Sequence, residues 1–197
     1  LCLVFTYSRG AWLALVGSFI LYCILTKPQA ILALIVAALA AVKLSPGIGS
    51  RMTYLFSSGY VSSSLKAGRL SRWDNALDQL SQNLWLGQGL GRFGGAVAAR
   101  NIPGSYYVDN FYLKTAVECG LIGLLALLWL FLNALRLGAW TLRQVNSSNR
   151  WLAVGLICGL FGVLLHCTVE NIFEVPLMCV YFWLVVGMLA ILPNQQS

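Results

Sequence analysis

Three arginines stand where a phosphate could be held, and arginine suits that task because its planar fork presents several donors at fixed geometry. Arg9 sits in Ser8-Arg9-Gly10 between two apolar stretches, and Arg72 directly precedes Trp73 with Arg69 one helical turn earlier. Near hydrocarbon an arginine costs a few kcal/mol, so Arg9 either marks a helix end by reaching headgroups or grips an anion. Arg69 and Arg72, with Asp74 and Asp78 nearby, form either a solvated face or part of the same grip. The stretch YYVDNFYLKTAVECGLIG, Tyr106 to Gly123, brings Asp109, Asn110 and Tyr112 to the start of an apolar run. Within that run Lys114 and Glu118 are four apart, on one helical face. A carboxylate at that depth is costly unless paired, so Glu118 either neutralises Lys114 or serves as a catalytic group. A second cluster holds His166, Glu170, Asn171 and Glu174. His166 and Glu170, also four apart, either share a helix face and titrate together, or His166 merely closes a helix. Metal binding there needs a third or fourth ligand that the sequence does not supply. For a reaction at a sugar hydroxyl, the candidate bases are Asp109, Glu118, His166 and Glu170, with Asp109 first. The glycine-rich run GQGLGRFGG, Gly87 to Gly95, fits no phosphate-loop pattern and reads as a turn.

The elements that position these residues follow from composition. Apolar residues make up 59% of the chain and charged residues 10%, against roughly a quarter charged in soluble domains, so a soluble fold would lack polar surface. The apolar runs are Ala11 to Leu25, Ala30 to Leu44, Thr115 to Leu137, Trp151 to Cys167 and Val175 to Leu192. A span needs about 20 residues, which the third run satisfies alone; the first two are short. Lys43, near the end of the second, is expected to snorkel to an interface. The expected fold is all-α: a polytopic bundle with transmembrane helices in residues 1–44, a long external loop in 45–110, three more spans in 111–192 and a short tail, 193–197. Inside the loop, Arg69 to Asn83 carries Leu70, Trp73, Leu77 and Leu80 at helical spacing, which predicts an amphipathic helix at the interface. Gly120 and Gly123 are expected to allow close helix packing. The chain opens on Leu1 within apolar sequence, so it is expected to continue a longer protein, and it shows no signal-peptide pattern.

Charge and cysteines narrow the function classes. The net charge of +7 is spread over several loops rather than a stripe interleaved with aromatics, which argues against nucleic acid and for membrane lipids and anionic lipid-linked ligands. The six cysteines lie in or beside apolar runs without C-x-x-C spacing and read as small buried hydrophobes. Arg136, Arg143 and Arg150 mark the connection after the third run as cytoplasmic, while Glu170 and Glu174 mark the next as external. That order puts the long loop and Arg9 on the external side.

Three stretches in this order, YSRGAWLAL, RWDNALDQLSQNLWLGQGLGRFGG and YYVDNFYLKTAVECGLIG, resemble the bacterial O-antigen ligase and polymerase family. The resemblance implies a GT-C-like helical membrane fold and a glycosyltransferase that works without metal, cofactor or nucleotide sugar, with its active site at the outer face of the inner membrane. It implies a glycan donor on undecaprenyl diphosphate, a glycan acceptor and partners in a polysaccharide-assembly complex. The family's two diphosphate-holding arginines map onto Arg9 and Arg72; Arg69, Asn110, Tyr112 and Asn171 complete the expected substrate site. Many members carry histidine where this chain has Asp109, which favours an exopolysaccharide or capsule polymerase over a lipopolysaccharide ligase. The rival readings are a transporter of a small anion or of the lipid-linked glycan, and a noncatalytic partner in an assembly complex.

Overall fold

The computed structural model describes residues 8–29, 31–32, 35–36, 54 and 57–194, with backbone alone for Arg9, Ser58, Tyr60, Val61 and Ala67. Most of the second apolar run, Lys43 included, lies outside the described residues. Among those described, every regular element is helical, as the sequence implies.

Helix α1, Arg9–Leu25, starts at Ser8, whose hydroxyl accepts from the Ala11 N–H at 3.4 Å, and stops before Pro28. Its 17 residues reach about 26 Å at 1.5 Å per residue, slightly short of a hydrocarbon core of about 30 Å. Helix α2 spans Ser58–Ala67, and α3, Arg69–Gln82, follows a break at Gly68. A short helix, α4, covers Ala96–Asn101. Helix α5 runs Phe111–Gln144 and α6 Ser147–His166; a 3-10 turn at Ile172–Glu174 then leads into α7, Pro176–Ile191. Three helices are long and apolar enough to cross a membrane: α5, α6 and α7 with its 3-10 extension to Asn194.

Those three close around Phe131, Ala134, Ile157, Leu160, Phe182 and Leu189. Phe173 from the 3-10 turn stacks on Phe131 at 5.3 Å between centroids and meets Phe182 edge-on at 5.1 Å. Lipid tails are as apolar as these side chains, so close backbone approach and interhelical hydrogen bonds hold such bundles. Both occur: Gly138 lies under Ile157, and the buried Thr141 hydroxyl donates to the Leu189 carbonyl at 2.9 Å. Helix α1 lies against α6 through Gly10 on His166 and Val169, Gly17 on Leu165, and Gly162 on Ser18. Leu125, Trp129, Trp151, Leu177 and Leu184 face outward, the apolar surface a bilayer would cover.

A second, smaller core joins the polar loop to α5, with Ala76, Leu80, Phe93, Val108, Ala116 and Val117 buried and Trp73 and Tyr106 against them. The seam of α3 is therefore Trp73, Ala76 and Leu80. Leu70 and Leu77, expected on the same face, are exposed. The difference arises because α3 rests on the small residues Ala116 and Val117 along a narrow stripe, leaving neighbouring leucines outside it.

Candidate functional site

Helix α3 carries Arg69 and Arg72 at successive turns of its first half. Its position is fixed by the Trp73 indole N–H, which donates to the Val108 carbonyl at 3.1 Å. Val108 is buried, and its own N–H donates to the Gly94 carbonyl at 3.0 Å. The next residue, Asp109, takes a left-handed backbone conformation, φ 51°, which aspartate tolerates better than most residues and which often accompanies functional sites. Asn110 then caps α5, its side-chain oxygen accepting from the Leu113 N–H at 3.0 Å. The Phe111 N–H donates to the Cys167 carbonyl at 2.9 Å, tying the start of α5 to the end of α6.

These constraints set Asp109 between the two arginines. Arg72 Nη1 donates to Asp109 Oδ2 at 3.0 Å and to the Tyr107 carbonyl at 3.1 Å. Arg69 Nε lies 3.7 Å from the same carboxylate oxygen, and Arg69 Nη2 reaches Glu170 Oε1 at 3.2 Å. The result is an alternating chain, Arg72, Asp109, Arg69, Glu170, joining α3, the segment before α5 and the segment after α6. Side-chain exposures of 23 to 40% place it in partly solvated territory, where each pair contributes about 1 kcal/mol or less. Beside it opens a cleft of about 300 Å³ lined by Ala96, Tyr107, Asp109, Glu170, Asn171 and Glu174.

A second network is drier. Lys114 Nζ sits 2.6 Å from Glu118 Oε2 and 3.4 Å from Glu174 Oε1. Glu118, 3% exposed, also accepts from the Phe93 N–H at 3.2 Å. Glu174 accepts from the Ala96 N–H at 3.1 and 3.3 Å, and Asn171 Nδ2 donates to the Gly94 carbonyl at 2.8 Å. Gly95 is pressed so closely on Glu174 and Lys114 that any β-carbon there would overlap them. Glu118 thus has the pairing role with Lys114 that its spacing allowed. Replacing it with alanine is expected to cost about 3 kcal/mol, the lower end for breaking a buried pair, since Glu174 still faces Lys114. Thermal unfolding of the purified full-length protein measures this, and an unchanged midpoint would remove Glu118 from the framework.

The glycine run does more than turn. Helix α5 is interrupted at Gly120, φ 68° and ψ −174°, which frees backbone groups on both sides of the break. The loop satisfies them: Gln88 N–H donates to Val117 O at 2.9 Å and Gly89 N–H to Glu118 O at 2.9 Å, while Leu121 N–H donates to Leu84 O at 2.8 Å. Gly120 and Gly87 meet these partners backbone to backbone. The close approach expected at Gly120 is therefore made to a loop rather than to another helix. Glycine density in both GQGLGRFGG and ECGLIG was the available sign.

The remaining candidates separate. Tyr112 donates to the Leu164 carbonyl at 2.8 Å and lines an apolar cavity of about 310 Å³ with Phe131 and Leu164, apart from the Asp109 cleft. A shared helix face for His166 and Glu170 does not form, because α6 ends at His166 and the chain turns through Thr168 and Val169, whose N–H groups donate back to Leu165 and His166. His166 lies against Gly10 and stays within electrostatic reach of Glu170 and Arg69. The Arg9 side chain lies outside the described residues; its backbone opens α1 beside that same turn. Among the described residues no group of three or more His, Cys, Asp or Glu side chains is arranged to hold a metal ion.

Helices of this length and hydropathy define a polytopic helical membrane protein, with its charged network gathered where the polar loop meets one end of the bundle. A family model described as O-antigen ligase matches residues 1–128, and the chain belongs to that family of membrane glycan ligases and polymerases. The match takes in Arg9, Arg69, Arg72, Asp109 and Glu118 and ends within α5, so Glu170, Asn171 and Glu174 fall beyond it. No curated protein and no solved structure matches the chain.

Proposed function

We infer that the protein transfers glycan from a polyprenyl diphosphate to a sugar hydroxyl, in the bacterial cytoplasmic membrane and at its outer face. The observation that carries the reading is the Asp109 carboxylate held 3.0 Å from Arg72 and 3.7 Å from Arg69. Guanidinium groups can stabilise a diphosphate leaving group, and a carboxylate within reach can accept the proton of the attacking hydroxyl. Because these pairs are partly exposed and weak, an arriving diphosphate can take the guanidiniums at modest cost. The Asp109 carboxylate, released from the arginines, is then free to accept the proton of the attacking hydroxyl. The acceptor oxygen bonds to the anomeric carbon, the bond from that carbon to the phosphate oxygen breaks, the proton goes to Asp109 and the diphosphate leaves. Arg9 is proposed as a third cation, since its helix begins beside the turn that leads to Glu170. The outer face is supported by Arg143 and Arg150 at the α5–α6 connection against Glu170 and Glu174 at the α6–α7 connection. By the resemblance, aspartate at position 109 favours an exopolysaccharide or capsule polymerase.

Full-length protein in liposomes is expected to lengthen a glycan on undecaprenyl diphosphate with no ion gradient present. Movement of that lipid across the bilayer with no change in glycan length would defeat the enzyme reading and favour transport. Asp109→Asn is expected to slow transfer about 10² to 10⁴-fold, the usual range for a general base. It should bind undecaprenyl diphosphate at least as tightly as the parent, because the competing charge is gone. Weaker donor binding with an unchanged maximal rate would remove Asp109 from the chemistry.

A further inference from the structure

One cavity has no part in the charged network above. It measures about 670 Å³ and opens between the C-terminal end of α3, the glycine run and residues 102–106. Its polar lining includes Gln79, Gln82, Asn83, Gln88, Arg92 and Tyr106, with Phe93 alongside. No carboxylate lines it, and Arg92 is its one cation. Gln79 Nε2 donates to Asn75, and Gln88 Nε2 to the Gln79 carbonyl, so two of the carboxamides are oriented by the protein itself. The Tyr106 hydroxyl is buried and finds no hydrogen-bond partner among the described residues. Burial raises its pKa above the ordinary phenol value against the pull of Arg72, which keeps the proton on the oxygen.

We propose that this cleft binds sugar rings of the glycan that the reaction joins. Carboxamides present a donor and an acceptor side by side, which suits neighbouring sugar hydroxyls. The Tyr106 ring, held in a T-shaped pair with the buried Phe93 at 6.0 Å between centroids, offers an apolar wall for the carbon-bound face of a ring. The volume lies within the roughly 300–1,000 Å³ common for small-molecule sites. A lipid tail would find too many polar groups here, and a nucleic acid too few cations. The unpartnered tyrosine hydroxyl is closed off from solvent, so a sugar reaches it only by displacing a neighbour, and the bond then gained relieves a buried polar group that costs about 1–3 kcal/mol unpaired. Tyr106 also fixes the order of the sites. Its ring lies 6.0 Å from the Arg72 guanidinium carbon, so the wall of the sugar cleft adjoins the arginine that the proposed function gives to the diphosphate. The assignment rests on that function for its context.

The test uses purified full-length protein and two probes: oligosaccharide repeats released from the host cell's own polymer, and undecaprenyl diphosphate carrying no sugar. Tyr106→Phe removes only a hydroxyl that bonds to nothing described, and Gln82→Ala with Gln88→Ala removes two carboxamides. Each variant is expected to weaken oligosaccharide binding about tenfold, one hydrogen bond's worth at about 1.4 kcal/mol per decade. Binding of the sugar-free lipid should stay within twofold, and Tyr106→Phe should unfold no earlier than the parent. Unchanged oligosaccharide affinity in both variants overturns the proposal, as does a loss confined to the sugar-free lipid. In transfer assays a raised KM for the donor alone assigns the rings to the donor, and a raised KM for the acceptor alone assigns them to the acceptor. If Arg72→Ala still binds the sugar-free lipid normally while oligosaccharide binding depends on Tyr106, the diphosphate reading falls and the sugar cleft stands.

Discussion

Arg72→Ala is expected to lower glycan transfer about 10² to 10³-fold in the full-length protein, the size seen when one preorganised donor to a developing anion is removed. The same change should move stability by no more than about 1 kcal/mol, because Arg72 is 37% exposed and its pair with Asp109 is correspondingly weak. That separation is what distinguishes a substrate contact from a structural one. Arg72→Lys should recover only part of the rate, since an ammonium keeps the charge but loses the fork that spans two oxygens. Arg69→Ala should cost less than Arg72→Ala, because Arg69 is shared between Asp109 at 3.7 Å and Glu170 at 3.2 Å. Combining Arg72→Ala with Asp109→Asn should cost far less than the product of the single effects if both act in one step, as units of a single site do. Glycan of normal yield and length from Arg72→Ala, at normal protein level, would end the case for a diphosphate held on α3.

The parts of this arrangement that depend on local spacing were legible in the sequence. Hydropathy located α5, α6 and α7, and four-residue spacing located the pair Lys114 and Glu118. The ends of α5 were less legible. Hydropathy fades after Leu137, yet the helix continues to Gln144 through Arg143, because hydrogen bonding along the backbone does not require an apolar surface. Long-range partners left no local trace: nothing near Arg69 in sequence points to Glu170, 101 positions away. At His166 and Glu170 the spacing left two readings open, and the structure takes the one in which His166 closes the helix, while the two groups still interact electrostatically. In α3 the pattern gave the right helix and an imperfect face, since Leu77 counts as apolar by type while the small residue Ala76 is the one that lets α3 approach α5. The family resemblance supplied what spacing could not, the order of the motifs, and the family match covers all three stretches that carry it.

Gly120→Ala is expected to be the most damaging single change to the fold. The residue's φ of 68° with ψ of −174° lies in a region essentially restricted to glycine. A β-carbon there would also overlap the Trp85 carbonyl, a backbone group that cannot rotate aside. Relief requires the loop to leave α5, and with it go the bonds from Gln88 to Val117, Gly89 to Glu118 and Leu121 to Leu84. Each buried group left without a partner costs about 1–3 kcal/mol, so the total should exceed about 3 kcal/mol even if water replaces some of them. Glycan transfer should fail with the fold, because that loop also carries Phe93 and Gly94, whose contacts with Glu118 and Val108 hold the segment containing Asp109. Limited proteolysis should find new cleavage within residues 83–95 before any cut in α5 or α6. Gly155→Ala is the matched control: its added methyl group meets open space on α6, and alanine favours a helix over glycine by about 1 kcal/mol. Gly155→Ala should therefore unfold no earlier than the parent. Equal behaviour of the two variants would mean that the interruption at Gly120 is not what docks the loop, and the positioning of Asp109 would then need another cause.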